Sequence, residues 1–195
     1  MADTRDDDES RQLSWDEFPG PPCYAPREVD GALASLCKIR DKRSANEAYN
    51  RVLFAVGNNH RGTLYPAAAA AAPRVLEIAL AGEGIVRTTA LDVVMDLLLF
   101  SAEPGFEIFE WLDGSSADVK DEIKKSIQEE EEKLFGILVD QREQEKDRLI
   151  ALSILDLVAV DPSRVVSVAR IVLAQGNAAQ DLIKACRETL TEHDA

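Results

Sequence analysis

The chain has few of the residues from which metal sites and disulfide frameworks are built. Only three cysteines and two histidines occur among its 195 residues. Cys23, Cys37 and Cys186 are odd in number and far apart, which excludes a dense disulfide framework. With His60 and His193 as its only histidines, a histidine-based metal site is not expected. The sequence also lacks a phosphate-binding glycine loop, a CxxC pair and the HExxH motif, so we expect no cofactor, no metal and no enzyme.

Positive charge is scarce as well. The chain carries 22 lysines and arginines against 36 aspartates and glutamates, which gives a formal net charge of −14. Nucleic acids and anionic membranes have the same sign of charge, so bulk electrostatics would not hold the chain on either. We therefore expect no nucleic-acid or membrane partner, and we predict a protein partner, most naturally a basic one.

Long apolar runs are missing. No segment approaches the 18 or so unbroken apolar residues that a membrane span requires. The first ten residues, MADTRDDDES, have neither a basic segment nor an apolar core, so they do not resemble a signal peptide. These features predict a cytoplasmic protein, and the length fits one domain with an ample core.

What the sequence does contain is organised around residues 65–100, where two helical apolar patterns are joined by a turn of a few residues. Such a short turn makes the two helices antiparallel neighbours. Pro66 fits a first helical turn, whereas Pro73 lies inside the first helix and predicts a bend. Six alanines, 67–72, allow another helix to approach closely. The second helix carries a wide apolar stripe: Val86, Ala90, Leu91, Val94, Leu97 and Leu98.

This stretch resembles a HEAT repeat, the helix-pair unit of α-solenoids. The features in common are a proline-bent first helix, a short acidic turn and the pattern VRxxALxxVxxLL. Arg87 matches the basic position of the family, and Glu83 replaces its usual turn aspartate. The upstream sequence is similar to a group of small bacterial HEAT-like proteins at Trp15, Tyr24, Ala25, Leu33, Leu36, Ala48, Leu53, Val56 and 60–65. The resemblance covers about residues 15–100 and implies an immunity protein against a toxic effector, or an interaction module.

The predicted fold is all-α, a short irregular solenoid of about four antiparallel helix pairs. We expect an acidic, flexible arm over 1–22, in which Trp15 and Phe18 either anchor the arm on the first helix pair or belong to a docking surface. A single HEAT-like domain follows over 23–195. Outside the central pair, helices are expected at 27–41, from about 44 to 57, and at 117–139, 148–160, 163–174 and 178–191.

Several local features are predicted with these helices. Ser44, three residues before Glu47, is the expected N-cap of a capping box, and Gly57 is expected to end that helix in a left-handed conformation. Cys37 falls on a buried stripe. Asp161 and Pro162 are expected to start a helix as N-cap and first residue. Asp156 lies within a nearly all-apolar helix, where it would need a basic side chain or a helix end as partner.

Two acidic side chains in the central pair are candidates for partner binding. Asp92 and Asp96 stand four residues apart and therefore share one face of a helix. Such a pair is often only solvated. In a solenoid, however, one face of each second helix lines the concave surface, so both are predicted to add negative charge to a groove that holds a basic partner.

A turn-forming segment, NNHRGT, presents His60 and Arg61 on a rigid base. No nucleophile or metal partner lies near His60 in the sequence, so a structural role in the turn is favoured over catalysis. A partner contact through His60 and Arg61 remains the alternative.

The segment FEIFEWL, residues 106–112, is rich in aromatics and too short for a lasting helix. As a strand it would place Phe106, Ile108 and Glu110 on one face and Glu107, Phe109 and Trp111 on the other. The strand either caps the edge of the solenoid with its aromatics buried, or presents Phe109 or Trp111 as an exposed anchor for a partner.

Four consecutive glutamates, Glu129, Glu130, Glu131 and Glu132, surround one turn of the predicted helix 117–139. Such a block is either solvated or met by lysines and arginines of a partner. We include all four among the candidate partner-binding residues.

Two functions of different classes remain open. In the first, the chain is a non-catalytic immunity protein that binds and neutralises a toxic effector through its acidic surface. In the second, it is a general scaffold or adaptor that joins endogenous proteins. A weaker third interpretation is an acidic mimic of nucleic acid that occupies the groove of a basic partner. A neighbouring toxin-like reading frame would favour the first.

Overall fold

The computed structural model describes residues 14–22, 24–111, 113–176 and 178–193. This part of the chain is mostly helical, in agreement with the predicted all-α class. Its nine helices are α1 (Glu28–Leu36), α2 (Lys42–Val56), α3 (Ala67–Ala81), α4 (Gly84–Leu99), α5 (Val119–Gln128), α6 (Glu131–Val139), α7 (Glu145–Val158), α8 (Pro162–Ala174) and α9 (Gln180–His193). The start of the predicted arm, 1–13, and Cys23 lie outside the described residues.

Eight of these helices form four consecutive pairs: α1 with α2, α3 with α4, α6 with α7, and α8 with α9. The pairs also contact one another through their second helices, since α2 packs on α4, α4 on α7 and α7 on α9. On the other side α1 contacts α3, and α6 contacts α8. Helix α5 lies outside this pairing and packs mainly on α3.

The alanine run of α3 makes its close packing possible. All six alanines are buried, with Val75, Leu76 and Ala79 on the following turns. Pro73 lies inside the helix, as predicted, and is exposed, so its ring does not obstruct the core. Small side chains on both flanks of α3 let α4 and α5 approach its backbone closely.

Aspartates start three of the helices. Asp161 accepts a hydrogen bond from the Ser163 N–H (3.0 Å) with Pro162 in the first position, which confirms the predicted start of α8. Asp118 caps α5 in the same way. The predicted N-cap of α2, Ser44, is wrong by three residues, because Asp41 is the N-cap. The Asp41 carboxylate accepts a hydrogen bond from the Ser44 N–H, and the Ser44 hydroxyl accepts one from the Asp41 N–H. A capping box is present, but the aspartate and serine form it, without Glu47.

The C-terminal carbonyls of the helices are bound by long side chains from the next packed element. Arg87 Nε donates to the Ala79 carbonyl at the end of α3 (3.3 Å). The Lys120 ammonium donates to the carbonyls of Leu97, Leu98 and Phe100 at the end of α4, over 2.5–2.8 Å. These carbonyls lack partners within their own helix and carry its negative dipole end, so cations are well suited to them.

The same arrangement joins the third and fourth pairs. Arg148 is only 1 % exposed. Its Nε donates to the Leu138 carbonyl at the end of α6 (2.9 Å), and one terminal nitrogen donates to Gln175 Oε1 after α8 (2.7 Å). The amide of Gln175 in turn donates to the Val139 carbonyl (2.9 Å). One buried guanidinium therefore holds three helices in register.

The described part of the chain also contains five short strands. β1 (Gly57–Asn58) and β2 (Thr63–Leu64) form a hairpin around the 59–62 turn, and β2 also pairs in parallel with β3 (Ser101–Ala102). β4 (Ile108–Glu110) and β5 (Ser116–Asp118) form a separate antiparallel hairpin. Gly57 is extended, with φ −172°, and begins β1, so the predicted left-handed helix end at this residue is wrong.

Two further expectations are corrected. The predicted helix 117–139 breaks at Glu129 and Glu130 into α5 and α6, although its apolar positions are buried as expected. Cys37 is exposed, because α1 ends at Leu36 and the chain leaves the buried stripe there.

Asp156 is exposed near the end of α7 and accepts a hydrogen bond from the Thr189 hydroxyl (2.8 Å). The fully buried acid of this helix is Asp147.

Replacing Lys120 by methionine should destabilise the protein by about 2–3 kcal/mol, since it leaves part-buried carbonyls at the end of α4 without their charged donor. Urea unfolding followed by circular dichroism measures this change. Lys124→Met on the exposed side of the same helix is the matched control and should stay within about 0.5 kcal/mol of the wild type. Equal effects of the two substitutions would contradict the capping role of Lys120.

Candidate protein-binding groove

An open groove of about 580 Å³ lies between the second helices of the first three pairs. Its lining residues come from α2, α4 and the start of α7. They are Lys42, Ala45, Asn46, Tyr49, Ile85, Thr88, Thr89, Asp92, Gln144 and Lys146. The charged side chains of this groove are two lysines and one aspartate, and Ala45 and Ile85 add apolar surface. Mixed polar and apolar surface of this kind occurs where proteins bind one another.

Asp92 lines this groove, and it already has a cation beside it. Its carboxylate accepts a hydrogen bond from the Lys146 ammonium (2.7 Å). Both side chains are partly exposed, so the pair contributes at most about 1 kcal/mol to folding. A partner could therefore compete for Asp92 at little cost to the fold.

Asp96 lies one turn further along α4. Its carboxylate accepts a short hydrogen bond from the Tyr49 hydroxyl of α2. Burial and this carboxylate raise the pKa of Tyr49 well above its usual range, so the hydroxyl keeps its proton and remains the donor. Asp96 thus joins two groove helices, and it offers a partner less free acceptor capacity than Asp92.

A buried carboxyl lies directly behind the groove wall. Asp147 is fully buried and contacts the hydroxyl of Thr88, while its second oxygen has no hydrogen-bond partner among the described residues. Burial raises the pKa of Asp147; the bond with Thr88 and the nearby Arg87 partly oppose this. Arg87 itself forms an ion pair with Glu143.

His60 and Arg61 lie in the hairpin turn between β1 and β2. His60 is exposed, and its ring packs edge-on against Phe54 with 4.9 Å between centroids. Arg61 donates to Glu103 (3.1 Å), which also accepts a hydrogen bond from Thr63 and lies just after β3. These contacts give both residues a role in holding the turn, while their exposure leaves the predicted partner contact open.

Phe109 and Trp111 belong to an aromatic cluster that also contains Trp15 and Phe18. Phe109 is 3 % exposed and lies 4.8 Å from Trp111, centroid to centroid. Phe18 packs against both rings, and Trp15 packs against Phe18. Phe109 therefore caps the core and is not an exposed anchor, and Trp111 is half-buried. Trp15 and Phe18 are anchored as expected, but against this β-hairpin.

The glutamate block lies at the break between α5 and α6. Glu131 and Glu132 pair with Arg164 of α8, whose guanidinium also lies over the ring of Phe135. Glu130 pairs with Lys133 (2.6 Å). Glu129 is exposed and has no ion pair among the described residues. Three of the four glutamates thus have cationic neighbours in the chain, which weakens their attraction for a partner.

Of the predicted site residues, the structure brings Asp92 and Asp96 together with Tyr49, and Phe109 together with Trp111. The His60–Arg61 turn and the glutamate block lie on other elements. Sequence reasoning missed Lys146, Thr88 and Gln144. Lys146 was missed because the predicted helix starts at Arg148, whereas α7 starts at Glu145 and therefore includes Lys146 in its first turn.

The described residues contain no group of three or more histidine, cysteine or acidic residues arranged to hold a metal ion. None of their helices has both the length and the apolar character needed to cross a membrane.

Comparison with protein-family models, with curated proteins and with solved structures finds no match for this chain. The likeness to HEAT repeats consequently rests on the residues of the sequence and remains a prediction.

Replacing Asp147 by asparagine should stabilise the protein at pH 7 and make no difference near pH 4. The raised pKa means that the folded state holds this proton more tightly than the unfolded state. The free energy of unfolding of the wild type therefore falls as the pH rises from the ordinary pKa of aspartate through the raised pKa of Asp147. Asparagine does not ionise, so the variant does not lose this free energy. Urea unfolding at both pH values measures the difference.

The control is Asp121→Asn at an exposed position of α5. This variant should follow the wild-type pH dependence. A pH-independent effect of Asp147→Asn would show that the carboxyl is not the origin of the loss.

Proposed function

We propose that this protein is a non-catalytic, HEAT-like binding module that neutralises a toxic effector by holding it against an acidic surface. The observation that carries the proposal is the continuous layer of second helices α2, α4 and α7, whose open groove contains Asp92 beside Lys146. The acidic character belongs to the chain as a whole, whose formal net charge is −14. The resemblance at residues 15–100 supports the immunity role, and the four helix pairs support the solenoid.

The packing of the pairs is what a short solenoid requires. Each pair contacts the next through its second helix, so these helices form one continuous layer. In such a stack the second helices line the inner surface. The groove therefore lies where a solenoid binds its ligands, and α5 is an insertion between the second and third pairs.

Charge favours a basic partner. The net charge of −14 gives long-range attraction to a positively charged protein, and this attraction raises the rate of association more than it lengthens the lifetime of the complex. Blocking an effector before it reaches its target requires rapid capture, so this electrostatic character suits a neutraliser.

Affinity capture with the tagged chain, followed by a toxicity-rescue assay, tests the proposal. We expect one tightly bound basic protein, most simply the product of a neighbouring reading frame, that arrests growth when expressed alone. Co-expression of this chain should restore growth. Capture of several weakly bound endogenous proteins, none of them toxic, would contradict neutralisation and favour the scaffold or adaptor.

Reversing the groove acid and the acid one turn further along α4, Asp92→Lys with Asp96→Lys, should weaken binding of the captured partner by more than about tenfold, because like charges are then placed together in the interface. Surface plasmon resonance at two salt concentrations measures the effect. The association rate of the wild type should also fall steeply with added salt.

The matched control reverses two exposed acids away from the groove, Asp121→Lys with Asp181→Lys. It changes the net charge by the same amount. Equal losses in the two double variants would mean that overall charge, and not the groove, determines affinity.

A further inference from the structure

The β4–β5 hairpin has an open edge along β4. Among the described residues this sheet contains two strands, so β4 has a strand neighbour on one side alone. An edge strand exposes a row of backbone N–H and C=O groups that can pair with another chain.

The hydrogen-bond pattern identifies which groups are free. Phe109 pairs with Ala117, and the ladder is flanked by bonds from the Val119 N–H to the Glu107 carbonyl (2.9 Å) and from the Trp111 N–H to the Ser115 carbonyl (2.8 Å). Bonded and non-bonded pairs alternate in an antiparallel ladder. Ile108 and Glu110 therefore point their N–H and C=O groups away from β5, and no other backbone group in the described chain bonds to them.

One face of β4 is packed against the protein, and its other face is exposed. The Phe109 side chain is held in the aromatic cluster with Phe18 and Trp111. Ile108 is 60 % exposed on the opposite face, and Glu110 on the same face is exposed too. An edge that is already fixed in the extended conformation pays little ordering entropy when another strand is added.

Charge determines what kind of strand fits. Residues 106–118, which form the hairpin and its turn, contain four acidic side chains and no lysine or arginine. Glu107, Glu110 and Asp113 around the edge are exposed. A second copy of this chain would place acids against acids across the new pair, whereas a basic segment would meet opposite charges.

We infer that the open edge of β4 binds an extended, lysine- or arginine-containing segment of a partner protein as a third strand. Backbone bonds to Ile108 and Glu110 supply the affinity. On the outer face, an apolar side chain of the segment lies beside Ile108 and a basic one lies beside Glu110. This site is separate from the groove and does not depend on the proposed function.

The test uses the seven-residue peptide Thr-Lys-Thr-Val-Thr-Lys-Thr, acetylated at its N-terminus and amidated at its C-terminus. Its symmetry accommodates parallel or antiparallel addition. NMR titration of the ¹⁵N-labelled full chain at low salt should show the largest amide shifts at Ile108 and Glu110. A control peptide N-methylated at its third, fourth and fifth residues keeps the side chains and the charge but loses backbone donors that face β4 in either direction of addition. It should bind at least about tenfold more weakly.

Proline substitutions in the protein provide a matched pair. Ile108→Pro removes an outward N–H from the β4 edge and should weaken binding about tenfold or more. Ser116→Pro removes an outward N–H from the other edge of the same hairpin and should change binding less than twofold. Should Ile108→Pro disturb the amide spectrum of the hairpin, Ile108→Lys keeps the backbone donor and opposes the cationic peptide, with the same expected direction.

Three results would overturn the inference. The first is equal binding of both peptides, which would show attraction by charge alone. The second is equal loss in Ile108→Pro and Ser116→Pro. The third is dimerisation of the free chain in sedimentation velocity that Ile108→Pro abolishes, which would assign the edge to a second copy. Peptide binding that persists in the Asp92→Lys, Asp96→Lys variant separates this site from the groove.

Discussion

The helix ends of this protein impose the constraint on which its packing depends. The last carbonyls of a helix have no partner within it, and burying them unpaired is costly. Here Arg87, Lys120 and Arg148 bind the ends of α3, α4 and α6 from the element that packs next to each end. Each of these bonds fixes the position of one unit relative to another, so the same contacts that satisfy the backbone also set the register of the helix pairs.

The binding of basic side chains to helix ends affects which charged groups of this acidic chain remain at its surface. Several of its relatively few basic side chains are committed to helix ends or to internal pairs, such as Arg164 with Glu131 and Glu132. Glu129 and Glu110 are exposed acids that have no ion pair among the described residues. The structure thus draws Arg87, Lys120 and Arg148 into the packing and leaves these two acids at the surface.

The helical pairs were predictable because their apolar periodicity is strong, and the start of α8 was predictable because Asp161 and Pro162 are each specific for a helix start. The break between α5 and α6 was not, since glutamate is a good helix former and the apolar positions continue on both sides of it. The groove was only half predictable. The spacing of Asp92 and Asp96 places them on one face, but the neighbours that occupy them, Lys146 and Tyr49, come from distant helices. The aromatic anchor at Phe109 was ambiguous, because alternation along a strand does not say which face is covered.

The parallel pairing of β2 with β3 has a consequence for how the α3–α4 pair can move. Thr63 lies beside Ser101, so the polypeptide enters and leaves this pair at adjacent points. Backbone bonds from the Ser101 N–H to the Gly62 carbonyl (3.1 Å) and from the Glu103 N–H to the Leu64 carbonyl (2.8 Å) hold these points together. The two ends of the pair therefore cannot separate without breaking these bonds, and fraying at one end is resisted by the other.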